Sequence, residues 1–389
     1  MTEKRILLVQ FAGDFREAHR LLEATGTETY YGHRYVLEQL ARIRAEQGEV
    51  AILCCLSGSR YQEVLPSGVT VMGADAHPEK QSAAVIAMME AFRPTHVVVL
   101  TPMPRILRWA RRSGARVLCQ FADSFNVSLL RRWWRFGRLH AQLNDPVIEW
   151  VSNHGRNACA SLVRIGVDPA KVLPWDWPQA RRPHDRAPKP ALPEGRPTLF
   201  FAGEVIALKG VGDTIEAVAA LKRRGRDVAL QIAGRGQHDR FRAHSERLGV
   251  GDRVDILGVI PNTEVIERMR AAAAVIVPSR HGYPEGLPLT IYEALCARTP
   301  LVASDHPMFL GNLVDRETAL IYPAGEPARM ADRIEELLDA PDLYATLSRN
   351  AEAGWERLQV PTLWGDLIFR WIADAPEDRA WLASHTIKT

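Results

Sequence analysis

Residues 271–305 read AAAAVIVPSRHGYPEGLPLTIYEALCARTPLVASD. AAVIVPS is a short unbroken apolar run rich in β-branched residues, as expected of a strand buried on both faces. The loop RHGYPEGLPL follows, crowded with Gly and Pro, which cannot continue a strand. A helix is then expected to begin near Leu289 or Thr290 and to carry IYEALCA. PLVASD closes the stretch as a second buried strand. Continuous apolar strands separated by helices indicate a parallel sheet covered on both faces.

The same alternation holds on either side. RILLVQF (5–11) reads as a first strand and YVLEQLARIRAEQG (35–48) as a helix ended by Gly48. VAILCCL, HVVVLTP, ARVLCQFAD and IEWVSN continue the series. Asp176–Pro197, DWPQARRPHDRAPKPALPEGRP, breaks it, because proline excludes a helix interior or a central strand. TLFFAGE, VALQIAG, VDILG, AAVIVPS, PLVASD and ALIYPAG then restart the rhythm. The fold class expected is α/β, with two Rossmann-like doubly wound domains and a ligand in the cleft between them, at the carboxyl ends of the strands. The boundaries expected are 1–178, a linker at 179–197, 198–360, and a C-terminal helix within 361–389 that packs back on the first domain.

A length of 389 residues suits two such domains. With 47% hydrophobic and 24% charged residues, the composition is that of a water-soluble globular protein. The net charge of +3 lacks the long basic stripe of a nucleic-acid binder, so no nucleic-acid partner is expected. The five cysteines are scattered inside apolar runs and read as reduced buried thiols, not as a metal site. MTEKRILLVQFAGD has too short an apolar run for a signal peptide. No window approaches the 18 apolar residues of a membrane span. The expected location is the cytoplasm.

Glu285 lies in the loop and Glu293 just inside the following helix. A helix N-terminus offers unpaired N–H groups and partial positive charge, which suits a phosphate. A carboxylate in the loop before it is well placed to accept hydrogen bonds from sugar hydroxyls. One a helical turn further on is placed for a ribose diol. The pair suits a nucleotide sugar, although a capped surface helix with ordinary acidic residues has the same spacing. Three further strand ends strengthen the pattern. FAGEVIALKG puts Gly203 at a strand end and Lys209 before a helix, where an amine can neutralise a diphosphate. LQIAGRGQ supplies Gly234 and Gly236, and LGVIPNTEVIERM a turn whose backbone can pair with a base edge.

From Thr198 to about Leu338 the chain resembles the donor-binding half of retaining glycosyltransferases of family 4, which have the GT-B fold. FAGEVIALKG, IAGRGQ, LGVIPNTEV and VPSRHGYPEGLPLTIYEALCARTPLVASD carry the likeness. The first half matches more loosely. The resemblance implies sugar transfer from a UDP- or GDP-sugar to an acceptor hydroxyl, with retention and without a metal or other cofactor. It implies that Glu285 contacts the donor sugar, Glu293 the ribose, and Lys209 the diphosphate together with the amides of Leu289 and Thr290. Gly286, Leu287, Gly203 and Gly234 complete the donor side. No D-x-D occurs in the sequence. Leaving-group charge then falls to cations and helix N-termini. The family usually places an arginine where Glu204 stands, so Arg280, His281 or Arg235 is the candidate substitute. Pro288 stands where another glycine is frequent, and Ala122, next to Asp123, where a histidine is frequent. A nucleotide-sugar epimerase of the same fold, and a nucleotide-sugar binder without turnover, are the alternatives.

Acceptor-side residues are sparser. Gly13 follows the first strand, where a backbone can approach the donor phosphate. Asp14–Gly32 is expected as a long loop carrying His19, Tyr30 and Tyr31, with His33 at the next helix start. Asp123, at a strand end, is the candidate for acceptor contact and for a catalytic role beside Glu285 and Lys209. The acceptor expected is a small molecule, a glycan or a lipid-linked sugar. LLRRWWRFGRLH (129–140) reads as an amphipathic helix, or as a weak contact with a membrane surface.

Overall fold

The computed structural model describes residues 4–26, 28, 32–125 and 129–387, with 129–135 described by backbone alone. The chain divides into two compact units, Met1–Pro178 with Val360–Thr389, and Gln179–Gln359.

The first unit is built on eight strands: β1 Arg5–Ala12, β2 Glu49–Leu56, β3 Tyr61–Val64, β4 Thr70–Gly73, β5 His96–Val99, β6 Arg116–Phe121, β7 Ile148–His154 and β8 Val172–Trp175. They lie in the order β3-β4-β2-β1-β5-β6-β7-β8. Every pairing is parallel except that of β3 with β4. Alternation along β1 sends Leu7 and Val9 to one face and Ile6 and Leu8 to the other, all fully buried. The second face is covered by Val36, Leu40 and Ile43 of helix His33–Glu46 and by Trp364, Leu367 and Trp371 of helix Trp364–Ala373. Burying one such side chain contributes about 1.5–3 kcal/mol.

The second unit has six strands: β9 Thr198–Ala202, β10 Ala229–Ala233, β11 Val254–Gly258, β12 Ala274–Val277, β13 Leu301–Ser304 and β14 Leu320–Tyr322. The order is β11-β10-β9-β12-β13-β14, all parallel. Phe200 of β9 pairs with Gln231 on one side and Val275 on the other. The strand order therefore reverses between β9 and β12. A crevice at the carboxyl ends of those two strands is where a doubly wound sheet takes its ligand.

The structure alters several expectations. Asp14–Gly32 is not a loop throughout: Phe15–Thr25 is helical, because the Asp14 carboxylate caps it by accepting from the Glu17 amide at 3.0 Å. Tyr30 and Tyr31 lie outside the described residues. Strands β3, β4 and β8 were not expected. The C-terminal segment forms two helices, Trp364–Ala373 and Pro376–Ser384, separated by Asp374 in the left-handed region. Residues 129–143 are helical, but the side chains Leu129–Arg135 lie outside the described residues. Among the described residues no helix is long and apolar enough to cross a membrane.

Residues 179–197, expected as a linker, are counted with the second unit. Lys189 anchors them there. Its side chain is buried, and Nζ donates to the carbonyls of Arg270 at 2.9 Å and Ala272 at 2.6 Å. Burial, reinforced by the nearby Arg270 charge, brings the Lys189 amine down to about 7. Lys189→Met keeps the length and leaves those two carbonyls without their donor. The expected loss is about 1–3 kcal/mol of unfolding free energy, measured as a lower urea midpoint at unchanged slope.

Candidate functional site

Lys209 closes a single 3-10 turn, Ala207–Lys209, after β9. The next residue, Gly210, sits at φ +75, and a Cβ there would lie 2.1 Å from the Pro278 carbonyl. Only glycine allows this approach. The Arg280 amide also donates to the Leu208 carbonyl at 2.9 Å. These two contacts press the turn after β9 against the loop after β12. They bring Lys209 to Glu285, 76 residues away in sequence, and the two form an ion pair.

Glu285 is 5% exposed. Its Oε1 accepts from Lys209 and from the Ser279 hydroxyl at 2.5 Å. The Tyr283 ring lies over the lysine, with Nζ 4.4 Å from the ring centroid. The Tyr283 hydroxyl donates to Glu204 Oε2 at 3.2 Å. His306, buried beneath, pairs with the Tyr283 carbonyl at 3.1 Å, and burial lowers its pKa. A buried carboxylate is thus held in one orientation by an ammonium and a hydroxyl, at the point where the strand order reverses.

The helix after the loop is Leu289–Cys296, with Pro288 at its N-cap and no side-chain cap. The amides of Leu289 and Thr290 belong to the first turn, whose N–H groups have no partner within the helix. Thr290 Oγ1 donates to the Ala202 carbonyl at 3.1 Å, tying this N-terminus to the end of β9. Gly286 is half-buried and Leu287 buried, packed under the loop. One turn on, Glu293 Oε1 accepts from Asn262 Nδ2 at 2.7 Å. Burial pushes the Glu293 carboxyl up to about 7, opposed by the Asn262 hydrogen bond and the Arg181 charge.

Two of the candidate substitute cations are already engaged. Arg280 makes a bidentate pair with the buried Asp213, with Nε to Oδ2 at 2.8 Å, which raises its pKa further. His281 Nε2 lies 2.7 Å from Asp305 Oδ1. Arg235 is exposed. Gly203 and Gly234 serve packing: a Cβ on Gly234 would lie 1.7 Å from the Gly203 carbonyl, so the ends of β9 and β10 meet only without a side chain.

Three expected residues lie in the first unit. Gly13 does not offer its amide to a ligand, because it donates to the Leu56 carbonyl at 3.0 Å. His33 packs edge-on against Phe15, ring centroids 5.5 Å apart, and burial lowers its pKa. Asp123 follows β6. Its backbone is fixed by Asn153, which donates to the Asp123 carbonyl at 2.7 Å, and burial raises its carboxyl to about 6. Ser279, Tyr283, Asn262 and Asp213 were missed from sequence. Single polar residues on loops and helix starts carry no periodic signal.

The two doubly wound units make this a GT-B protein. The fold matches sucrose-phosphate synthase from Thermosynechococcus elongatus, with TM-score 0.69, 17% identity and coverage of 98% of this chain and 100% of that one. It also matches Anabaena Alr3699/HepE solved with UDP-glucose, with TM-score 0.65, 14% identity and coverage of 95% and 98%. Residues 184–354 match the family described as glycosyl transferases group 1. A curated relative, the alpha-D-kanosaminyltransferase of Streptomyces kanamyceticus, is 36% identical over 238 residues, 55% of this chain and 60% of that protein. The chain spans about half the length of the curated relatives it matches.

Proposed function

We propose that this protein is a retaining glycosyltransferase. It moves a sugar from a nucleotide-diphosphate sugar to an acceptor hydroxyl, in the cytoplasm and without a divalent metal. The Lys209–Glu285 pair at the β9/β12 reversal carries the reading. The family match of residues 184–354 supports it, as does the Anabaena structure of the same fold with UDP-glucose bound.

Glu285 accepts hydrogen bonds from donor sugar hydroxyls. The diphosphate takes its place on Lys209 and on the amides of Leu289 and Thr290, and Glu293 accepts from the ribose diol. In the chemical step the bond from the anomeric carbon to the diphosphate oxygen breaks. A bond to the acceptor oxygen forms on the same face. The acceptor proton passes to the departing phosphate oxygen, giving a glycoside and a nucleoside diphosphate. No protein base is required. Lys209 and the helix amides stabilise the charge that develops on the leaving group, so they supply the catalysis. Asp123 is the acceptor-side contact in this reading.

The test is a thermal-shift and calorimetric screen against UDP- and GDP-sugars, followed by assay of nucleoside diphosphate release with and without acceptor. Binding with acceptor-dependent release supports transfer. Absence of any nucleotide-sugar binding overturns it. A pH series adds a sharper check. Ribose needs the ionised Glu293, and with its carboxyl near 7 donor affinity should fall about tenfold between pH 8 and pH 6. Glu293→Gln should bind weakly at both pH values. A parent affinity flat across that range removes Glu293 from the ribose.

A further inference from the structure

The acids and bases around Lys209 do not balance. Lys209 neutralises Glu285, and Arg280 neutralises Asp213. His281 is held by Asp305. Glu204 is exposed and takes a hydrogen bond from the Tyr283 hydroxyl, but has no ion-pair partner among the described residues. The same Tyr283 ring lies 4.4 Å from Lys209 Nζ. Glu204 is therefore one aromatic ring away from the amine to which the proposed function assigns the diphosphate. When a diphosphate engages Lys209, Glu285 must share the one cation it has among the described residues. Two carboxylates, Glu204 and Glu285, then flank a dianion. That arrangement repels a donor and acceptor bearing hydroxyls alone, and favours one that brings positive charge.

We propose that Glu204, oriented by Tyr283, recognises an ammonium group on the sugar or cyclitol bound beside the leaving phosphate. The substrate class is an amino sugar or aminocyclitol, entering as the donor sugar or as the acceptor. An ammonium donates up to three hydrogen bonds and has room for a carboxylate and a neighbouring hydroxyl. N-acetylation removes the charge and adds bulk, so the free and acetylated forms differ in the property that matters. The inference rests on the donor site proposed above.

The experiment is calorimetric titration of the full chain at pH 7.5 and low salt, in two arms. The donor arm compares UDP- and GDP-glucosamine with the corresponding N-acetylglucosamine and glucose derivatives. The acceptor arm uses protein saturated with UDP or GDP. It compares glucosamine with N-acetylglucosamine, and a diaminocyclitol with myo-inositol. In one arm the ammonium form should bind at least about tenfold more tightly than its neutral counterpart. Glu204→Gln should reduce that ratio to below about threefold, and added salt should lower it in the parent. Tyr283→Phe, which keeps the ring over Lys209, should lower it partway. A ratio near one in both arms, or a preference that survives Glu204→Gln, overturns the inference. If UDP and GDP both fail to bind, the proposed function itself falls. If a nucleotide binds without any preference for ammonium, only the present inference falls.

Discussion

Replacing Lys209 by Ala should lower turnover by about 100- to 1,000-fold, the range for removing one preorganised group from a developing negative charge. It removes the only cation paired with Glu285 among the described residues and the ammonium assigned to the leaving diphosphate. The same variant should lose about 3–5 kcal/mol of stability, because it strands a buried carboxylate. Those two effects can be separated. The double variant Lys209→Ala/Glu285→Gln carries a neutral amide at 285, which needs no counter-ion. Its thermal midpoint should recover most of the loss, while nucleoside diphosphate release stays at the level of Lys209→Ala. Recovery of turnover in the double variant would show that Lys209 acts only by holding Glu285.

The second large effect concerns Gly234. Its φ of +140 is unfavourable for any residue with a Cβ, and that Cβ would lie 1.7 Å from the Gly203 carbonyl. Gly234→Ala must force the ends of β9 and β10 apart. The hydrogen bond from the Gly203 amide to the Ala233 carbonyl, 3.0 Å, lies in that path. A loss of about 4 kcal/mol is expected, seen as a lower urea midpoint or as insoluble protein. Because the segment that follows β9 carries Lys209, donor binding should fall with it. A variant with the parent's midpoint and a selective loss of nucleotide affinity would show instead that Gly234 faces the ligand.

Much of this was legible in the residues. The apolar runs TLFFAGE, AAVIVPS and PLVASD became β9, β12 and β13, because β-branched and aromatic residues fill a sheet covered on both faces. The helix expected near Leu289 or Thr290 begins at Leu289, where Pro288 ends the loop. Other features depend on particular contacts. The helix Phe15–Thr25 hinges on the Asp14 cap, and the binding of 179–197 into the second unit on scattered contacts such as the buried Lys189 amine and the Arg298 donation to the Pro183 carbonyl. Neither repeats along the chain, so neither leaves a pattern.

The sequence by itself determined the two doubly wound sheets and the residue types at their strand ends, since burial period and turn chemistry are properties of neighbours along the chain. Only the tertiary structure decided how those residues are used. It paired Lys209 with Glu285, committed Arg280 to Asp213 and the Gly13 amide to Leu56, and left Glu204 beside Tyr283. The two partners of each pair lie on different elements or loops, and their distances are fixed by strand order and by backbone approaches such as that of Gly210 to Pro278. Charge neutralisation acts through space, and nothing local in the sequence encodes it.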